Sequence, residues 1–197
     1  MTDAPRVAAL ILAAGGSSRM GRSKQALPWR GVPLARRLAI EAIASSLSNV
    51  YAVVGCDAAA TRLLFEGLDL EIVENPRWEE GLGSSLAAGA RHLAALPDPP
   101  DAAVILLADQ ALVTSTSIDA LIDAHCATGL PLVACRHGEE LGAPALFASS
   151  FFARLEALRG DEGARTLLRE NADRVTAVDL PEALFDVDTP ADFERLP

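Results

Sequence analysis

The densest chemistry in the sequence lies in Ala14-Gly15-Gly16-Ser17-Ser18-Arg19-Met20-Gly21-Arg22-Ser23-Lys24. Glycines let the backbone approach a ligand closely, and exposed N–H groups can cradle anionic oxygens. Arg19 offers a forked donor that suits phosphate, whereas Lys24 is a compact point charge. The order is neither the G-x-x-x-x-G-K-[ST] of a P-loop nor the G-x-G-x-x-G of a dinucleotide site. Two readings remain: a phosphate loop of another design, or a Gly/Ser loop with surface arginines.

Charge distribution favours the first. The 197-residue chain has a net charge of −10, which argues against non-specific nucleic-acid binding. From Ala4 to Ile40 there is no Asp or Glu and there are seven basic residues. From Glu41 to Pro197 there are 10 basic and 26 acidic residues. Excluding carboxylates over such a stretch suits a polyphosphate site. Of the 17 basic residues 16 are Arg, so Lys24 is the single lysine.

Asp109 follows the most apolar run, Ala102–Ala108, and would stand at the carboxyl edge of a strand. A hard cation bridging phosphates would want an acid there; a turn or helix-capping acid is the plainer alternative. Asp186 and Asp188 alternate with apolar residues and share one face if the segment is extended. Spacing does not choose between metal binding and solvation for them, nor between Asp186 and Asp188. In Asn75-Pro76-Arg77-Trp78-Glu79-Glu80-Gly81-Leu82-Gly83-Ser84-Ser85-Leu86, residues Gly83, Ser84 and Ser85 are candidates to bind a base or ribose. Ser84 reads equally as a plain N-cap. Gly160-Asp161-Glu162-Gly163-Ala164-Arg165 would hold an anionic second substrate through Arg165, or be an ordinary turn between helices.

These residues need elements to position them. Val7–Ala13, Val50–Gly55, Leu70–Val73, Ala102–Ala108 and Leu130–Cys135 read as strands covered on both faces. Ala143–Phe147 and Val175–Val178 are weaker strands. Helical periodicity spans Leu34–Ser45, with a stripe of Leu34, Leu38, Ile40 and Ile43, then Ser84–Leu96 and Ser117–Ala127, where Ser117 is the expected N-cap. Phe151–Leu158 and Ala164–Glu170 follow. Thr189 caps a last helix with Pro190 in its first turn. The segment Gly138–Arg165 is less regular and is expected to form a lobe over the crevice.

Alternating strands and helices predict an α/β three-layer sandwich with a mostly parallel sheet and a ligand crevice at the strand C-termini. One domain of residues 1–197 is expected. No apolar run approaches the roughly 20 residues of a membrane span. Cys56, Cys126 and Cys135 show no disulfide or metal spacing, and neither do His92, His125 and His137. They read as buried thiols and scattered imidazoles, in a cytoplasmic protein.

In combination the motifs resemble the MobA-like nucleotidyltransferases, most closely the molybdenum cofactor cytidylyltransferases. The resemblance rests on Leu12 through Gly21 with Lys24, Asn75-Pro76 to Leu86, Leu107-Ala108-Asp109-Gln110, Gly142-Ala143-Pro144, Gly160-Asp161 to Arg165, and Asp188-Thr189-Pro190-Ala191-Asp192. It implies a Rossmann-like nucleotidyltransferase fold. Residues 1 to about 110 would bind NTP and Mg²⁺, and the rest would hold the acceptor. Ala13-Ala14-Gly15 is similar to the cytidylyltransferase form, which favours CTP over GTP.

The implied reaction transfers CMP from CTP to a phosphorylated pterin-type acceptor, molybdopterin, and releases pyrophosphate. Leu12, Ala13, Ala14, Gly15, Gly16, Ser17, Gly83, Ser84 and Ser85 would bind the nucleotide. Arg19 and Lys24 would neutralise the β- and γ-phosphates. Asp109 matches the principal Mg²⁺ ligand. Asp188 matches a second metal-binding acid of related sugar-acid cytidylyltransferases. Gly142, Pro144, Asp161 and Arg165 would hold the acceptor, and a molybdoenzyme maturation protein is a candidate partner.

Two residues depart from the family pattern: Ala111 stands where Pro is common, and Ala143 where His is common. The second bears on the acceptor's identity. Alternatives are GTP as donor, an NAD(P)H-dependent oxidoreductase of the nicotine-pigment type, and a nucleotide-binding maturation factor without catalysis.

Overall fold

The computed structural model describes residues 4–16, 23–187 and 189–197. The first strand, β1, covers Val7–Ala13, and every one of its side chains is buried. Full burial is what a continuous apolar run requires, because a strand presents alternate residues to opposite faces. Val7, Ala9, Ile11 and Ala13 join one core cluster, and Ala8, Leu10 and Leu12 join another.

The chain continues through a small hairpin, β2 (Pro28–Trp29) and β3 (Val32–Pro33), into α1 (Leu34–Ala44). Next come β4 (Asn49–Val54), α2 (Ala58–Leu64), β5 (Glu71–Glu74), α3 (Leu82–Ala94) and β6 (Ala102–Leu107). The second part holds α4 (Ser115–Thr128), β7 (Leu132–His137), β8 (Glu140–Ala148), α5 (Phe152–Glu156), α6 (Ala164–Glu170), β9 (Val175–Val178) and α7 (Pro190–Glu194). Seven strands form one sheet in the order β5-β4-β1-β6-β8-β7-β9. β8 runs antiparallel to both its neighbours; the other pairings in this sheet are parallel. Helices α1 and α4 cover one face, and α3, α5 and α6 the other. This is the predicted three-layer α/β sandwich.

Several local expectations change. In α1 the buried residues are Leu34, Ala35, Leu38, Ala39 and Ala42. Ile40 and Ile43 are exposed instead, at 43% and 37%. Alanines let the helix lie close to the sheet, so the larger residues mark the outer face. The N-cap of α4 is Thr114, not Ser117. Ser117 stands three residues further on and returns the bond, completing a capping box. Thr189 caps α7 as expected, also in a capping box, with Pro190 in the first turn.

Gly138–Arg165 does not form a separate lobe, since β8 within it crosses the middle of the sheet. Its register against β7 shifts between Ala134 and Cys135, so Ala143 and Pro144 sit in a bulge. The bulge breaks the alternation that makes a strand legible. Of the cysteines only Cys135 is buried; Cys56 is half-buried and Cys126 exposed.

A third, smaller cluster closes the C-terminus over the hairpin. Leu27, Leu34, Ala111 and Val187 are its buried members, with Trp29, Phe185, Phe193 and Leu196 packed around them. Ala111, the residue in place of Pro, is 2% exposed and fills this cluster. The cluster ties the segment after Lys24 to the segment after Asp109.

Candidate nucleotide site

From β1 the chain crosses by α1 to β4, whereas β6 pairs with the other edge of β1. Such a reversal leaves a crevice at the carboxyl ends of the strands. A cavity of about 380 Å³ occupies it, lined by Leu12, Ala14, Gly15, Gly16, Lys24, Gln25, Trp78, Gly81, Leu82, Ser85, Leu107, Ala108 and Asp109. That volume falls within the usual range for small-molecule sites. Ala13 is fully buried in the strand beneath. Ser17, Arg19 and Asp188 lie outside the described residues.

Lys24 and Asp109, 85 positions apart, meet in this cavity as an ion pair. Their side chains are 21% and 12% exposed, so the pair is largely withdrawn from water. Asp109 Oδ2 accepts from Lys24 Nζ, while the buried Oδ1 has no hydrogen-bond partner among the described residues. A buried carboxylate oxygen without a donor is costly unless something else completes it. A hard divalent cation takes such oxygens, so the residue fits the expected metal. Among the described residues no group of three His, Cys, Asp or Glu side chains could hold a metal. One protein carboxylate plus substrate oxygens is a common arrangement for Mg²⁺.

The acid-free block has a divided use. Arg6 pairs with Asp98, Arg30 donates to the carbonyl of Pro197, and Arg36 to those of Leu64 and Glu66. Arg37 donates to the carbonyls of Ala111 and Val113. Among the described cations of the block, only Lys24 lines the cavity.

Two residues without an assigned role in the sequence reading shape this site. Gln25 is 3% exposed; its amide donates to Gly15 O at 2.8 Å and Ala13 O at 3.4 Å, and accepts from Ser23 Oγ at 2.8 Å. It ties the end of β1 to the segment carrying Lys24. Trp78 stands against Gly16 and Gly55. A Cβ at Gly55 would lie 2.5 Å from the Trp78 Cβ and 2.9 Å from that of Ala14. Its position within the Asn75–Leu86 motif was the available signal.

The start of α3 sorts the expected base-binding residues. Its N-cap is Gly81, not Ser84. Ser84 Oγ donates to the carbonyls of Arg77 and Gly81, both at 2.8 Å, and accepts from Asn75 Nδ2 at 2.8 Å. Asn75 Nδ2 also reaches Ser85 Oγ at 3.1 Å. Ser85 lines the cavity, whereas Ser84 is engaged with the loop behind it. Gly83 N donates to Gly160 O at 2.9 Å. Gly81 has φ +98°, and a Cβ there would lie 2.5 Å from Gly160 O. The two glycine-containing loops of the sequence are thus locked together.

Beyond Leu12, Leu82 and Leu107, which line both, lies a second cavity of about 620 Å³. Its floor is apolar (Leu86, Ile105 and Ala143), and Asp161, Glu162, Arg165 and Asp186 bring charge. Of the expected acceptor residues, Asp161 and Arg165 line it; Gly142 and Pro144 are buried in β8. Gln110, 1% exposed, also lines it and donates to the carbonyls of Ala143 at 2.9 Å and Ala183 at 3.3 Å.

Residues 9–175 match the MobA-like NTP transferase domain, and the chain belongs to that family. The purine catabolism protein PucB of Bacillus subtilis (strain 168) is 30% identical, over 98% of this chain and 96% of its own. The nicotine blue oxidoreductase of Paenarthrobacter nicotinovorans is 28% identical, over 99% and 98%. Among solved structures, Rv0371c from Mycobacterium tuberculosis H37Rv superposes with a TM-score of 0.79 at 29% identity, covering 99% of this chain and 98% of its own. Rv0371c has also been solved in complex with manganese. The chain thus has the family and the fold of a nucleotidyltransferase, which support a transferase. No helix among the described residues is long and apolar enough to cross a membrane.

Proposed function

We propose that the protein transfers CMP from CTP to a phosphorylated acceptor, molybdopterin, with Mg²⁺, and releases pyrophosphate. The observation that carries the reading is the meeting of Lys24 and Asp109 in one cavity beside Gly15 and Gly16. A cation for phosphates and an acid for a metal are the two charges such a transfer needs. The resemblance of Ala13-Ala14-Gly15 to the cytidylyltransferase form supports CTP.

In this reading the acceptor's phosphate oxygen attacks the α-phosphorus in line and pyrophosphate leaves. Backbone groups of Leu12 to Gly16 border the triphosphate. Lys24 stabilises charge on the β- and γ-phosphates, together with Arg19. Asp109 holds the metal, with Asp186 or Asp188 as the second acid. Bound Mg²⁺ supplies charge neutralisation on the phosphate oxygens. Ser85, held by Asn75, reads the base or ribose. Asp161 and Arg165 meet the acceptor in the second cavity, whose apolar floor suits the face of a flat ring.

The test is pyrophosphate release with each NTP, Mg²⁺ and molybdenum cofactor. Turnover with CTP alone is expected; turnover with GTP alone would reassign the donor. A second reading, an NAD(P)H-dependent oxidoreductase, is favoured by the name of the 28% identical relative. NAD(P)H oxidation without pyrophosphate release would select it.

A further inference from the structure

We infer that Lys24 is a nucleotide-released blocker of the metal site. The inference rests on reading the first cavity as an NTP site, and it adds a binding order to that reading. Asp109 is the cavity's single carboxylate among its described lining residues, and Lys24 is paired to its Oδ2. An ammonium in contact cancels the charge that a hard cation seeks and repels the cation itself. Burial strengthens both effects, because water screens little at 21% and 12% exposure. A divalent ion arriving alone therefore meets a site that is already neutralised.

A triphosphate changes the competition. Along Gly15 and Gly16 it offers the ammonium several anionic oxygens within the same cavity. The lysine stem is long and flexible, so the head can swing to them while its backbone stays in place. Asp109 then regains its charge beside the phosphates, where the metal is needed. Metal and nucleotide strengthen each other's binding by the same factor, as linkage demands.

This accounts for the lone lysine in a chain with 16 arginines. A guanidinium would grip the carboxylate through two parallel hydrogen bonds and occupy both oxygens. The ammonium bonds Oδ2 alone and leaves the buried Oδ1 without a hydrogen-bond partner among the described residues.

The experiment measures Mn²⁺ binding to the nucleotide-free protein by electron paramagnetic resonance, which reads the free ion and needs no turnover. Lys24→Met is expected to bind Mn²⁺ about tenfold more tightly than wild type, or better. Lys24→Arg, which keeps the charge, is expected to bind it no more tightly than wild type. Asp109→Asn added to Lys24→Met should erase the gain. Lys24→Gln replaces Lys24→Met if the latter does not show a cooperative melt.

Equal or weaker Mn²⁺ binding by the neutral variants overturns the blocker, as does a gain that survives Asp109→Asn. The substrate reading fails separately. Absence of CTP turnover by the wild-type protein, with tighter Mn²⁺ binding by Lys24→Met, removes the substrate and keeps the blocker. CTP turnover without that gain does the reverse.

Discussion

At the scale of single residues, Lys24 and Asp109 carry the site. Lys24→Ala should lower kcat by about 10²–10³-fold, the usual loss of one preorganised electrostatic group. Its melting curve should stay cooperative; near-normal turnover would refute its role. Asp109→Asn should abolish the Mg²⁺ dependence of pyrophosphate release, and an unchanged metal titration would count against a ligand there. Ala143 tests the second cavity. Ala143→His restores the side chain common in the family and places it on the cavity wall. The KM for the acceptor should change while that for CTP does not; equal changes would deny the cavity to the acceptor. Lys24 and Asp109 were legible because each breaks a local expectation. Lys24 is the only lysine, and Asp109 follows the most apolar run. Gln25 and Trp78 were not legible as site residues. A buried glutamine and a packed tryptophan are ordinary until their neighbours are known.

At the scale of elements, the segment that leaves β1 at Ala14 to Gly16 is held by close packing. Trp78 lies so near Gly55 that a methyl group there must displace it. Gly55→Ala should destabilise the protein by about 1–3 kcal/mol, the range for overpacked sites. The melting temperature should then fall by several degrees. Trp78→Gly alone leaves a gap, but combined with Gly55→Ala it removes the nearest contact, that with the Trp78 Cβ. The double variant should therefore be more stable than the sum of the singles predicts. Simple additivity would show that the contact is slack. Strand β1 and the caps of α7 were readable because burial on both faces and capping chemistry are local. The antiparallel β8 was readable only in part, as Ala143–Phe147, since its bulge and its place between β6 and β7 arise from pairing with distant strands.

At the scale of the whole molecule, the sheet's interior sets an alkaline limit. Cys135 is fully buried in β7, and burial pushes its thiol up. In the unfolded chain the thiol ionises near its ordinary value of about 8.5. The native state keeps the proton to a higher pH, so folding stability from this group is complete below about pH 8.5 and declines as pH rises further. Burial also raises Tyr51, which adds a decline of the same sign above about pH 10. Cys135→Ala should flatten the loss of denaturation free energy between about pH 8.5 and 10. It should leave the steeper part above that range. An identical pH slope in the variant would place the titrating group elsewhere.

The amino-acid sequence by itself determined the class of fold and singled out the two residues most worth mutating. Periodicity, burial on both faces and rare residue types are properties of short segments. Only the tertiary structure decided how the cations are used. Of the described members of the acid-free block, Lys24 alone reaches the cavity, while Arg6, Arg30, Arg36 and Arg37 serve carboxylates and carbonyls elsewhere. Charge is counted along the chain but acts through space. Which of the described cations enters the cavity, and which satisfy a backbone oxygen, is settled when the sheet brings residue 109 to residue 24.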